Sequence, residues 1–351
     1  MTKRLLIYGA NGYTGEMIAR AAAAQGLSPI LAGRSEPTIA ALARELGCEF
    51  RVFGLGDPSA VAAGLAGCRV VIHCAGPFSA TAAPMMAGCI AARAHYTDIT
   101  GEIDVFELGF RQDAAARQAG IVVCPGVGFD VVPTDCVALT LKQAMPEATR
   151  LALGFDSRSG LSRGTASTSV EGLGHGSRVR EDGVIRRIPL GSRSRNIDFG
   201  AGLKLATAIP WGDVSTAFRT TGIADIEVYV PVSPAALANL RRLGRFGWLL
   251  RRRSVQAFMK WRIRKGAAGP TASEREKTPV YVWGEARDAA GRTKTARVRV
   301  PNGYTVTTDA AIAIARRLLQ PAAAPGFTTP ARLMGADFVT RLPGATQISV
   351  E

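Results

Sequence analysis

The heptad Gly9-Ala10-Asn11-Gly12-Tyr13-Thr14-Gly15 stands between an apolar run, Lys3 to Tyr8, and a helical pattern, Glu16 to Gln25. A strand, a glycine turn and a helix in that order place a pyrophosphate on a helix N-terminus. There, unpaired backbone N–H groups and the helix dipole favour negative charge. Gly9 permits the tight turn, Gly12 lets the backbone approach phosphate, and Gly15 lets helix and strand pack closely. Asn11, Tyr13 and Thr14 complete the loop and are read with it as cofactor contacts; packing over the cofactor is the plainer role for Tyr13. The chemistry expected is dinucleotide binding, against an empty scaffold of the same shape.

The next apolar run, Pro29 to Ala32, ends in Gly33-Arg34-Ser35. A site for NAD places a carboxylate here to hold the ribose 2′-hydroxyl, whereas an arginine accommodates a 2′-phosphate. After this run no carboxylate is available until Glu36, so Arg34 and Ser35 point to NADP(H). A later apolar run, Arg69 to Cys74, leads into Ala75-Gly76-Pro77-Phe78, where the nicotinamide half of such a cofactor would run.

A hydride donor needs one proton managed nearby. Candidate groups sit at the ends of apolar runs: His95, Tyr96, Asp98, Glu102, Asp130 and Asp135. Each has a structural alternative. Asp98 and Asp130 can cap the helices that follow, and Asp135 can hold a turn made by Pro133. Glu102, directly after Gly101, is the least easily explained as a cap, and a raised pKa would let it donate a proton. Glu102, Asp130 and Tyr96 are taken as the catalytic set. Tyr304 precedes Thr307 and Thr308 at a helix start, where capping is the plain role, and His175 lies between two glycines. There is no Tyr-x-x-x-Lys pair of the short-chain dehydrogenase type, and no cysteine is read as a nucleophile served by a histidine. The six cysteines form no CxxC pair and the chain has only three histidines, so no metal site is expected.

These groups must be held by an alternation of strands and helices. Phe50–Phe53, Arg69–Cys74, His95–Ile99 and Ile121–Cys124 add strands to the first two. A helix is expected from Asp57 to about Ala66, another to Ala92, and one from about Ile103 to Ala119. The count is six parallel strands in a doubly wound α/β sheet. The 351 residues suffice for two or three domains, and 47% hydrophobic with 20% charged residues excludes a disordered chain. No apolar run approaches a membrane span, and the opening residues hold too short an apolar stretch for a signal-peptide core. A cytoplasmic protein, with its cysteines as buried thiols, is the expectation.

Two further stretches make the pattern specific. Tyr96-Thr97-Asp98-Ile99-Thr100-Gly101-Glu102 fits Tyr-x-Asp-x-Thr-Gly-Glu, and Gly128 to Asp135 fits Gly-Phe-Asp-x-x-Pro-x-Asp. Together with the glycine loop and Gly76-Pro77-Phe78, these resemble the saccharopine dehydrogenase-like oxidoreductase family, closest to the branch holding trans-acting enoyl reductases of lipid biosynthesis. Ser162 to Ser167, Gly269-Pro270 with Arg275, and Gly303-Tyr304 with Thr307 resemble later motifs of that branch; Asn302 replaces its usual proline. The resemblance implies a Rossmann domain over 1–149 and an inserted mixed or antiparallel α+β sheet domain over 150–301. Residues 302–351 would bring a helix, about Thr308 to Leu319, and a tail back to the first domain. It implies an NADPH-dependent reductase of a C=C (enoyl) or C=N bond on a hydrophobic or carrier-bound substrate. The alternative is an NADP-binding regulatory protein without chemistry. A homodimer is left open.

The net charge of +15 is mostly local. Between Tyr229 and Ser273 there is no Asp or Glu, and Leu237 to Lys265 holds ten basic residues interleaved with Phe246, Trp248, Phe258 and Trp261. Such a segment suits a helix on an anionic membrane surface. It also suits a solvated helical excursion packed on its own domain or a second subunit. Nucleic acid, which the same composition could bind, is not the expected partner. Gly244 and Gly247 interrupt the helical pattern.

Overall fold

After Arg4, strand β1 (Arg4–Tyr8) is apolar and buried, and the strand Ile30–Gly33 and most of Cys68–His73 beside it are too, as expected of a parallel sheet with helices on both faces. The computed structural model describes residues 4–157, 176–245, 252–264, 269–321 and 323–351. They divide into two compact units, Met1–Val132 with Tyr304–Met334, and Pro133–Gly303 with Gly335–Glu351.

In the first unit, β1 is followed by β2 (Ile30–Gly33), β3 (Phe50–Val52), β4 (Cys68–His73), β5 (His95–Asp98), β6 (Val122–Cys124) and β15 (Gly326–Phe327). All pairings are parallel, in the order β15-β6-β5-β4-β1-β2-β3. The six expected strands are present. The seventh, β15, is two residues long and too short to show a pattern; its Phe327 N–H is held by Asp113 at 2.7 Å. Between the strands run α1 (Tyr13–Ala24), α2 (Glu36–Leu46), α3 (Pro58–Leu65), α4 (Phe78–Ala92), α5 (Ile103–Arg111) and α6 (Asp113–Ala119). Asp57 caps α3 through Ser59 N–H at 2.9 Å. The single helix expected over 103–119 is two, broken at Gln112 (φ −85°, ψ 0°), where Asp113 turns to the β15 backbone and to Arg117. Tyr8, Phe53, Tyr96 and the methionines of α4 fill one side of this core. The helix Gly303–Leu319 starts five residues before its expected position and carries Val306, Ile312 and Ile314 on its buried side.

The second unit is a nine-stranded mixed sheet built around β7 (Arg150–Asp156). β12 (Asp225–Pro231) joins β7 in parallel, and β13 (Val280–Arg287) joins it antiparallel. Outward of β12 lie β11 (Leu203–Ala208) and β10 (Ser194–Asp198); outward of β13 lie β14 (Thr293–Val300) and β16 (Ser349–Val350). A hairpin of β8 (Ser177–Glu181) and β9 (Val184–Ile188) attaches to β12. Val137 and Leu141 of α7 (Val132–Ala144) cover one face: a Cβ on Gly284 would come within 2.6 Å of Val137. Ile197, Phe199, Tyr229 and Trp283 cluster on this sheet as well. The division of the chain therefore differs from boundaries at 149/150 and 301/302. Most of α7 packs on the second sheet, and the tail 335–351 joins that sheet because β16 pairs with β14.

All six cysteines are free, and four of them are buried. Among the described residues no cluster of metal-ligating groups occurs, and no helix is long and apolar enough to cross a membrane.

Candidate cofactor and active site

Strand order reverses at β1 and β4, which lie side by side in parallel. Gly9, at the end of β1, has φ +79°, and a Cβ there would lie 2.8 Å from Ala75 N and 2.9 Å from Ala75 Cβ. The glycine loop is thus packed against the chain leaving β4. A Cβ on Gly15 would fall 2.2 Å from the Gly9 carbonyl oxygen, so only glycine lets α1 start this close to the loop. Gly12 differs. Its nearest neighbour would be the Gly9 oxygen at 3.3 Å, with nothing else within contact. Gly12 is the N-cap of α1, and no side chain caps that helix. A concave backbone facing a helix N-terminus is the cradle a pyrophosphate needs, and the residues present fit one.

At the end of β2, Arg34 and Ser35 are both exposed, and Ser35 leaves α2 without a side-chain cap bond. Their loop is tied to the glycine loop: Asn11 donates to Thr38 Oγ1 at 2.9 Å, and Thr38 donates to the Ser35 carbonyl at 3.1 Å. A cation and a hydroxyl with no intervening carboxylate fit a 2′-phosphate. Thr38 is a contact that the sequence alone does not announce. A threonine in the first turn of a helix carries no distinctive signal until the fold brings Asn11 to it. Tyr13 meets Tyr304 edge-on at 5.1 Å. Thr14 is half-buried in the first turn of α1.

Ala75, Gly76, Pro77 and Phe78 connect β4 to α4, with a cis Gly76–Pro77 peptide. Glu102 meets this connection. Its Oε1 accepts from Phe78 N–H at 3.0 Å and its Oε2 from Ser79 N–H at 2.7 Å. Glu102, expected in the catalytic set, caps a helix through these bonds, though not the helix that follows it. Thr81 donates to the Ala75 carbonyl at 2.7 Å, so His73 Nε2, 3.0 Å from the same hydroxyl, is the donor to it. Burial lowers the His73 pKa to about 3, and the ring stays neutral.

Tyr96 is fully buried on β5 and donates to Asp98 Oδ2 at 2.6 Å. Tyr96, expected in the catalytic set, is thus placed inside the sheet core. Asp98 also accepts from Thr100 N–H at 3.1 Å and from Gly126 N–H at 2.8 Å. It pins the loop after β6 to β5 rather than capping α5. Burial raises its pKa to about 6 despite these hydrogen bonds. His95 Nδ1 accepts from Val122 N–H at 2.8 Å and so joins β5 to β6.

The loop after β6 carries Asp130. Its carboxylate rests on Gly101, where a Cβ would lie 2.7 Å from Oδ2. The side chain is half-buried and makes no hydrogen bond to the described residues. Desolvation raises its pKa to about 7. The loop is fixed from a distance: Phe129 N–H donates to Thr307 Oγ1 at 2.9 Å, and a Cβ on Gly128 would strike the Thr307 side chain at 2.8 Å. Two motifs separated by 178 positions thus meet. Thr307, expected to cap the helix start, thus reaches this loop. Of the three groups expected to carry chemistry, Asp130 alone presents a carboxylate without a structural task.

In the second unit, Asp135 accepts from the Thr220 hydroxyl at 2.5 Å. His175 and the stretch Ser162 to Ser167 fall outside the described residues. A cavity of about 330 Å³ is lined by charged side chains of β8, β10, β12 and β13. Many of its charges are paired within the lining, Arg193 with Glu181 and Glu227, Arg195 with Glu285, and Arg150 with Asp225.

Residues 5–124 match the family model of the saccharopine dehydrogenase NADP binding domain. A trans-acting enoyl reductase of Mycobacterium tuberculosis and one of Mycobacterium leprae are each 30% identical to this chain over 142 residues. Those matches cover 37% of this chain and 33% of the relative's length. The apo saccharopine dehydrogenase (L-Glu forming) of Saccharomyces cerevisiae superimposes with a TM-score of 0.64, covering 99% of this chain and 100% of that one at 12% identity. That likeness is one of fold. With the glycine cradle, Arg34 and the β1/β4 reversal in their places, residues 5–124 match the saccharopine dehydrogenase NADP binding domain, in a chain whose two-sheet fold is like that of saccharopine dehydrogenase.

Proposed function

We propose that this protein is an NADPH-dependent reductase acting on a C=C or C=N bond of a hydrophobic or carrier-bound substrate. When bound, NADPH supplies the hydride. The chain's own residues would do the rest. Gly9, Gly12 and Gly15 shape the pyrophosphate cradle, while Arg34 and Ser35 read the 2′-phosphate from a loop held by Asn11 and Thr38. Ala75 to Phe78 run along the same edge of the sheet.

The observation that carries the reading is Asp130. It is a half-buried carboxylate with a pKa near 7, at the C-terminal edge of the parallel sheet, on a loop fixed by Asp98 and Thr307. A carboxyl group that is partly protonated at neutral pH is suited to give the reduced product its proton. The name of the mycobacterial relatives favours C=C over C=N.

The test is an NADPH oxidation assay over a panel of enoyl thioesters and imines, with Asp130→Asn in parallel. Turnover of an enoyl thioester that falls at least tenfold in the variant is the expected result. No turnover across the panel, by protein that binds NADPH, would favour the second reading, a non-catalytic NADP-binding protein. The structural employment of both Tyr96 and Glu102 is the observation on its side.

A further inference from the structure

The helix Arg253–Arg264 shows two large aromatic side chains to solvent. Phe258 is 58% exposed and Trp261 49% exposed, and their rings stack at 5.9 Å with 25° between planes. Val255 and Met259 of the same helix are half-buried. The two aromatic side chains therefore stand more exposed than these aliphatic ones, the reverse of what burial of apolar area favours. Arg262, one turn on from Phe258, is exposed. No carboxylate occurs in the sequence from Tyr229 to Ser273.

The neighbouring helix, Pro234–Arg245, shows what a packed helix in this stretch looks like. Leu237 is buried, and Arg241 donates to the Gly191 carbonyl at 2.9 Å. Gly244, expected to interrupt the helix, lies inside it and faces Leu190.

We infer that the outward face of helix Arg253–Arg264 docks on an anionic lipid bilayer, with Phe258 and Trp261 entering the headgroup region and the surrounding basic residues meeting lipid phosphates. Charge decides among occupants. A second copy of the same face would bring together two basic stretches that each lack a carboxylate from Tyr229 to Ser273, which repel. A nucleic acid would need the aromatic faces for base stacking, and here the two rings already face each other. A bilayer interface takes paired aromatic rings and lysine or arginine side chains together. This inference does not depend on the reductase reading.

The experiment is sedimentation of the full chain with vesicles of phosphatidylcholine alone and of equal parts phosphatidylcholine and phosphatidylglycerol, with NADPH binding as the control for folded protein. The expected result is binding to the phosphatidylglycerol vesicles that weakens with salt. Phe258→Ser with Trp261→Ser should reduce it roughly tenfold or more. Arg262→Glu should reduce it about fivefold or more, as removal of one basic contact predicts. NADPH affinity should stay unchanged in both variants. Absence of sedimentation with either vesicle, equal sedimentation with both, or an unaffected double aromatic variant would each overturn the inference. So would retention on DNA by protein that ignores both vesicles.

Discussion

The backbone N–H of Ser79 lies 2.7 Å from Oε2 of Glu102, a residue in the loop after the next strand, and Phe78 N–H holds the other carboxylate oxygen. A charge therefore sits on the N-terminus of α4, where the helix dipole favours it. Glu102→Ala should cost about 2 kcal/mol, the loss of a cap made by charge-assisted hydrogen bonds, and Glu102→Gln about half of that. Thermal unfolding of the three proteins checks it. If Glu102 served instead as a proton donor, Glu102→Gln would abolish turnover and leave stability unchanged.

The centre of the first sheet is legible in the sequence because β1, β2, β4 and β6 are buried and appear as mainly apolar runs, whereas β3 and β5 are legible only from the alternation around them. The glycine loop was readable because each glycine answers a different steric demand, at Ala75, in open space and at the Gly9 carbonyl. What escaped notice depends on contacts between distant positions. Nothing near Thr307 announces that its hydroxyl receives Phe129 N–H, and nothing near Glu102 announces that it caps α4. The polar residues Tyr96 and Asp98 look like chemistry in one dimension. In the fold they satisfy each other inside the core. The tail was misplaced because two-residue strands such as β16 have no periodicity to read.

The glycines separate folding from binding. Gly15→Ala forces a methyl into the Gly9 carbonyl and should destabilise the first unit by roughly 1–3 kcal/mol, as overpacking does. Gly12→Ala meets only the Gly9 oxygen at 3.3 Å and should fold with near-normal stability while losing most NADPH affinity, since the methyl occupies the phosphate approach. Unfolding curves with and without NADPH distinguish the two outcomes.

Arg34→Ala should weaken NADPH binding about tenfold to a hundredfold, the range of one or two charge-assisted hydrogen bonds to phosphate, and leave NADH binding nearly unchanged. Thr38→Val should give a smaller loss of the same kind, because it removes the hydrogen bond by which Asn11 orients the Arg34–Ser35 loop. Calorimetric titration with both nucleotides measures the ratio. An equal loss for NADPH and NADH would show that Arg34 serves the cofactor as a whole rather than its 2′-phosphate.

Thr307 gives a test of the distance over which the Asp130 loop is held. Thr307→Val keeps the shape but removes the acceptor for Phe129 N–H, at a cost of about 1 kcal/mol. Turnover should fall while NADPH affinity stays the same, because the loop carries Asp130 and not the phosphate cradle. An unchanged kcat would mean that Asp98, through Gly126, suffices to place the loop.

The pH dependence follows from Asp130. If it donates the product's proton, turnover requires the protonated form, so kcat should be high below about pH 7 and fall as pH rises through that value. Asp130→Asn should have low activity without that limb. The same shift has a signature in stability. The folded protein holds Asp130 protonated up to about 7, against 3.8 for the ordinary group. Its contribution is therefore fully present below pH 3.8 and lost as pH rises through 7. Asp98, raised to about 6, adds a loss of the same sign at slightly lower pH. Denaturation between pH 4 and 8 should show stability declining across this range, with a shallower slope in Asp130→Asn that retains the Asp98 part. Both slopes being equal would place the Asp130 carboxyl in water and remove it as the acid.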